Sequence, residues 1–218
     1  MQDDRPDDGV VLVHGAATTG AVWGRVIAAL AARDVNDVVV VERPCSGSMD
    51  REVRVLAPAV RGRVVVGQSG GATLALALAA SDVPIRGALC HEPAAGSLAP
   101  RLLDPVAAAY REGGVAGFGA ALYGPSWTLE FAPDPDAVAR DLPMFRAFEP
   151  AAAAAGQGRV RTTVGEFSPA VRHDAAAALS TRFGFDHVVL PDTAHFAAWD
   201  APDRFADAIC DFLRELRS

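Results

Sequence analysis

Six short β-branched runs constrain this chain more than any other feature. Residues 9–14 read GVVLVH, 37–41 DVVVV, 63–67 RVVVG, 85–90 IRGALC, 158–164 GRVRTTV and 187–190 HVVL. A strand with one wet face alternates polar and apolar residues. Runs that do not alternate suit strands covered on both faces, as in a parallel sheet. Between them lie alanine- and leucine-rich stretches that predict helices over 21–33, 51–60, 70–80, 168–183 and 201–217. The last spaces Phe205, Ile209, Phe212 and Leu216 along one helical face. Strand–helix alternation implies a doubly wound α/β sheet, with its active-site loops at the carboxyl ends of the strands. There is no internal repeat.

The length, 218 residues, fits a single domain over 1–218, and half of the residues are apolar. A net charge of −7 argues against a nucleic-acid partner, because phosphate binding needs clustered Lys and Arg. Cys45, Cys90 and Cys210 are odd in number and lack a CxxC pair, so neither a disulfide framework nor a metal site is expected. The acidic start, MQDDRPDDG, has no basic-then-apolar leader. No apolar run approaches the roughly 20 residues needed to cross a bilayer. A cytoplasmic enzyme with no membrane partner is the expectation.

One stretch breaks the rhythm. Residues 93–157 contain no strand-like run but do contain helix starts at Asp104-Pro105 and Asp134-Pro135. Large apolar groups concentrate there: Tyr110, Phe118, Tyr123, Trp127, Phe131, Met144, Phe145 and Phe148. An insertion of this length between sheet strands is expected to cover something, so 93–157 is read as a helical lid over an apolar pocket. A helical layer that merely completes the core is the alternative.

The chemistry centres on Gly67-Gln68-Ser69-Gly70-Gly71, a Gly-x-Ser-x-Gly pattern that follows an apolar strand and opens an apolar helix. That context is what a nucleophile elbow requires. The turn is sharp, so its flanking residues must be tiny. Serine is a poor nucleophile at its free pKa and needs a base to take its proton. The helix start beyond it offers N–H groups to a developing oxyanion.

On these residues the chain resembles the α/β-hydrolase superfamily, in its serine esterase and lipase branch. Val10 to Ala16 (VVLVHGA) looks like that family's strand and His-Gly turn, with Trp23 just beyond. Asp192-Thr193-Ala194-His195-Phe196, before the terminal helix, looks like its catalytic-histidine loop. The resemblance implies Ser69 as nucleophile, His195 as base, and the N–H groups of Ala16 and Gly70 as the oxyanion hole. It covers nearly all the chain outside the lid. His14 is expected to shape the oxyanion turn, and His187 and His173 to be structural or solvated. His91 is left open, and Cys45 is read as structural.

Two departures stand out. The chain reaches its His-Gly strand by residue 14, so a trimmed, all-parallel sheet of about six strands flanked by helices is expected. The family's acid usually follows the penultimate strand in a Gly-x-x-Asp turn, but here the turn reads Gly165-Glu166-Phe167-Ser168, with Ser168 in the acid's place. A hydroxyl carries no charge to stabilise imidazolium. Glu92, in the phrase His91-Glu92-Pro93 at the end of a central strand, is the first candidate to replace it. Glu166, Asp192, Asp174 or no acid at all are the alternatives. The leading function is a serine hydrolase cleaving an ester, thioester or lactone of a small apolar molecule through an acyl-enzyme on Ser69, with no metal or organic cofactor. A non-hydrolytic lyase, cyclase or isomerase on the same fold is the second reading, and a small-molecule receptor the third.

Overall fold

All six expected strands form in the computed structural model, which describes residues 9–218. The leader-free reading of the first eight residues lies outside the described residues. The strands are β1 (Val10–Val13), β2 (Val38–Val41), β3 (Val64–Gln68), β4 (Gly87–His91), β5 (Arg159–Gly165) and β6 (Asp186–Leu190). They pair in the order β2-β1-β3-β4-β5-β6, every pair parallel. The order reverses between β1 and β3, and such a switch point opens a crevice at the carboxyl ends of the strands. Helices α1 (Gly24–Ala31), α2 (Met49–Val60), α3 (Gly70–Ala79), α4 (Asp104–Tyr123), α5 (Ala137–Arg146), α6 (Ala170–Phe183), α7 (Ala197–Asp200) and α8 (Pro202–Glu215) complete the chain. The helix expected over 21–33 begins instead as a 3-10 turn at Gly20–Trp23.

The central strands β1, β3 and β4 are buried along their whole length, as unbroken apolar runs require. The two edges depart from that expectation: Val39 on β2 and Val188 and Val189 on β6 are exposed. A β-branched run records strand preference; it does not record whether a helix covers both faces. On α8, Phe205, Ile209 and Phe212 are fully buried, as their helical spacing predicts.

Residues 93–157 form no strand. They supply α4, which is broken at Gly114 (φ 58°, ψ −146°), and α5. Pro105 lies in the first turn of α4, where its missing N–H has no intrahelical partner to lose. Both helices send apolar side chains across the carboxyl ends of the central strands. Tyr123 donates a hydrogen bond to the Ala16 carbonyl (2.6 Å) and the Trp127 indole donates one to that of Ala17 (2.8 Å). Among the described residues, no helix is long and apolar enough to cross a membrane.

Candidate active site

The turn from β3 into α3 is as tight as its glycines suggest. A Cβ on Gly71 would stand 2.0 Å from the Val13 carbonyl oxygen, and one on Gly67 would stand 2.3 Å from the Gly71 backbone. Only hydrogen fits at either position. Ser69 between them holds φ 58° and ψ −122°, a conformation L-residues avoid and one kept only when the surroundings over-determine it. They do so here: the Ser69 N–H donates to the His91 carbonyl (2.8 Å), and its carbonyl accepts from Thr73 N–H (3.0 Å) and the Thr73 hydroxyl (3.2 Å). Gln68 accepts from Ala198 N–H (2.8 Å), tying the elbow to α7 just beyond the histidine loop.

His195 presents Nδ1 to Glu92 Oε2 at 2.7 Å, with both side chains buried. Glu92 directly follows β4 with a strained φ of 51°, and both of its carboxylate oxygens are bonded. Its Oε1 accepts from Gly165 N–H (2.8 Å) and from the Ser168 hydroxyl, and the Arg172 Nε lies 3.1 Å from Oε2. Ser168 thus stands in the turn where the family's acid was expected and donates to Glu92. The other candidate carboxylates are engaged elsewhere. Glu166 accepts from Asp192 N–H (2.9 Å), Asp192 pairs with Arg204 (3.0 Å), and Asp174 makes no bond to the imidazole among the described residues.

Burial alone would raise the Glu92 pKa. The hydrogen bond from His195, with the charges of His195, His91 and Arg172, overrides it and holds the carboxyl far below the usual range. Burial lowers the His195 pKa to about 4; Arg172 and His91 add to the shift, and Glu92 opposes it. The imidazole is therefore neutral in the native state across the pH range where an unfolded chain takes up a proton. Between about pH 6.5 and 4 the unfolded state binds more protons than the native state, so stability falls as pH falls. Urea titrations at pH 7 and 5 are expected to show that loss, and the His195→Gln variant a smaller one; equal losses would refute the assignment.

Ala16 and Gly70 adjoin across the elbow: a Cβ on Gly70 would lie 3.1 Å from Ala16 N. Neither N–H has an acceptor among the described residues. Beside them is Tyr123, whose ring stacks on that of His195 (centroids 5.4 Å, 26°). Its phenol, pushed up to about 12 by burial, stands by the hydroxyls of Ser69 and Thr18. No hydrogen bond joins Ser69 to His195, and His195 Nε2 is buried without a partner among the described residues. Ser69, Gly70, Ala16, Glu92 and Arg172 line one cavity of about 20 Å³, room for a single water, together with Phe118, Leu122, Leu142 and Phe145.

The remaining sequence candidates have structural settings. His14 bonds the Gly15 carbonyl through Nδ1 (3.0 Å) and accepts from Arg43 N–H through Nε2 (3.2 Å), buttressing the turn as expected. His91, left open by sequence, bridges Thr163 (3.0 Å) and the Ala194 carbonyl (3.2 Å), fixing the loop that carries His195. Burial raises the Cys45 thiol to about 11, which keeps it protonated. Tyr123 was visible in the sequence only as one aromatic of the insertion, and Arg172 as one cation of a helix.

A strained serine between a parallel strand and a helix, with a carboxylate-bound histidine at the adjoining strand ends, defines the α/β enzymes built on a nucleophile elbow. The chain belongs to the alpha/beta hydrolase family, whose pattern matches residues 10–208. Among curated proteins, none matches the sequence. Solved structures with the same fold include a lipase-esterase related protein from Clostridium acetobutylicum (14% identity, TM-score 0.74, 96% of this chain and 95% of that one). An enol-lactonase from Burkholderia xenovorans is similar at 20% identity and TM-score 0.71, over 98% and 94% of the two chains. NosK from Streptomyces actuosus is similar at 22% and 0.69, over 97% and 99%.

Proposed function

We propose that the protein is a serine hydrolase that cleaves an ester, thioester or lactone of a small molecule through an acyl-enzyme on Ser69. The observation that carries this reading is the 2.7 Å bond from His195 Nδ1 to the buried Glu92 carboxylate, beside a serine held in a strained elbow. With Nδ1 hydrogen-bonded to a carboxylate, the proton-accepting nitrogen is Nε2, which has no partner among the described residues. In the reaction His195 takes the Ser69 proton as Oγ attacks the carbonyl, then gives it to the leaving group. Glu92 stabilises the imidazolium, and the Ala16 and Gly70 N–H groups receive the oxyanion. Water then releases the acyl group by the same steps.

Residues 93–157 serve as the lid, because their side chains close the cavity to the size of one water. Substrate enters when that wall moves, and catalytic hydrogen bonds are often unmade before it does. A fluorophosphonate is expected to label wild-type protein on Ser69 alone, with no label on Ser69→Ala. The absence of a Ser69–His195 bond, with the Tyr123 phenol beside Ser69, favours a second reading, a non-hydrolytic lyase, cyclase or isomerase. Folded protein that resists the label would select it.

A further inference from the structure

We infer that the substrate carries a carboxylate on its acyl part and that Arg172 binds it. The inference rests on the reading of Ser69 as nucleophile. Arg172 rises from α6 with its side chain only 9% exposed, and it shares a small, mostly apolar cavity with Ser69 and Gly70. Nε faces Glu92 Oε2 at 3.1 Å and Nη1 reaches the Glu92 carbonyl at 3.5 Å. Nη2 has no acceptor among the described residues. A largely buried guanidinium that keeps an unused donor, on a residue that lines an apolar cavity, is suited to a planar anion, which it grips through charge-assisted bonds. His195 is not among the cavity's lining residues. The leaving group must depart by His195, so this cavity is the acyl side.

Charge balance supports the same assignment. With a neutral imidazole, Arg172 and Glu92 cancel. Once His195 takes the Ser69 proton, the imidazolium and Arg172 are two cations beside the one carboxylate of Glu92, and the balancing negative charge lies on the oxyanion. Arg172 opposes that step, standing second only to burial among the causes that lower the His195 pKa. Glu92, His91 and Tyr123 are the other titratable groups facing this pair. A substrate carboxylate on Arg172 removes the opposition just where the imidazolium forms. Its binding energy is then expressed in the transition state, as selectivity in kcat/KM requires. A neutral ester of the same shape gains none of it.

The test compares monoethyl esters of succinic, glutaric and adipic acids with the ethyl esters of the matching ω-amides, using wild-type protein. At least one acid is expected to exceed its amide in kcat/KM by about 30-fold, the effect of one buried charge-assisted bond. Arg172→Met is expected to bring that ratio to about one, and Arg172→Lys, which keeps the charge without the fork, to an intermediate value. Should Arg172→Met fail to fold, the wild-type ratio and the lysine variant decide. If every acid and amide pair reacts equally while a fluorophosphonate still labels Ser69, the inference is overturned and the nucleophile stands. If no ester is cleaved and Ser69 takes no label, the hydrolase reading itself fails.

Discussion

Replacing Glu92 with Gln is expected to lower kcat by about 10⁴-fold, the scale set by replacing a triad carboxylate with its amide. The surroundings of Glu92 decide how the amide would sit. Gly165 N–H and the Ser168 hydroxyl both donate to Oε1, so the Gln carbonyl keeps that place and its NH₂ turns to His195 Nδ1. Nδ1 must then accept, the ring proton moves to Nε2, and the nitrogen needed as base is lost. Arg172 loses its buried counter-charge in the same variant, so a melting curve must accompany the kinetics. A second variant isolates the chemistry. Ser168 already contacts Glu92, so Glu92→Gln with Ser168→Asp returns a carboxylate to the turn after β5. It is expected to recover at least tenfold of the lost rate, whereas Ser168→Asp alone sets two carboxylates together and is expected to lower kcat below wild type. Near-normal kcat in Glu92→Gln, with loss in Glu166→Gln, would transfer the role to Glu166.

How far the sequence could be read follows from what each signal encodes. The six strands were legible because a buried parallel strand must be apolar without interruption, and the elbow because only glycine fits at Gly67 and Gly71. The edges were not: DVVVV and HVVL look like central strands, yet Val39, Val188 and Val189 meet solvent because β2 and β6 are the edges of the sheet. Glu92 was legible as a carboxylate at a central strand end. Ser168 was legible only as the wrong residue in the right turn; its donation to Glu92 depends on a register between β4 and β5 that spacing does not give. Arg172 and Tyr123 were illegible for a related reason. Each reaches the site from a helix in which nothing local distinguishes it, and what matters is which strand end that helix crosses.

Arg43→Met is expected to destabilise the fold by about 3–5 kcal/mol, the cost of breaking a buried ion pair from one side. The Arg43, Glu52 and Asp141 side chains are completely buried, two carboxylates against one guanidinium. Arg43 Nη2 bonds Asp141 Oδ2, and Nη1 lies 3.5 Å from Glu52 Oε2. Burial raises the Asp141 pKa even with Arg43 beside it. Without the arginine, both acids face each other in an apolar interior. The loss is therefore expected to shrink in Arg43→Met/Glu52→Gln/Asp141→Asn, where no buried charge is left, as a urea titration would measure. A triple variant no more stable than Arg43→Met would mean that Arg43 acts by packing against Phe145 (5.5 Å) and not by charge. The cluster also bears on the site, because it joins the loop after β2 and helix α2 to α5. Helix α5 carries Leu142 and Phe145 into the wall of the cavity beside Ser69. Asp141→Asn keeps the shape and weakens the tie, so amide exchange in α5 is expected to quicken in that variant before exchange in β3 or α3 changes. Equal protection in α5 would separate the cluster from the cavity wall and leave it a feature of the core alone.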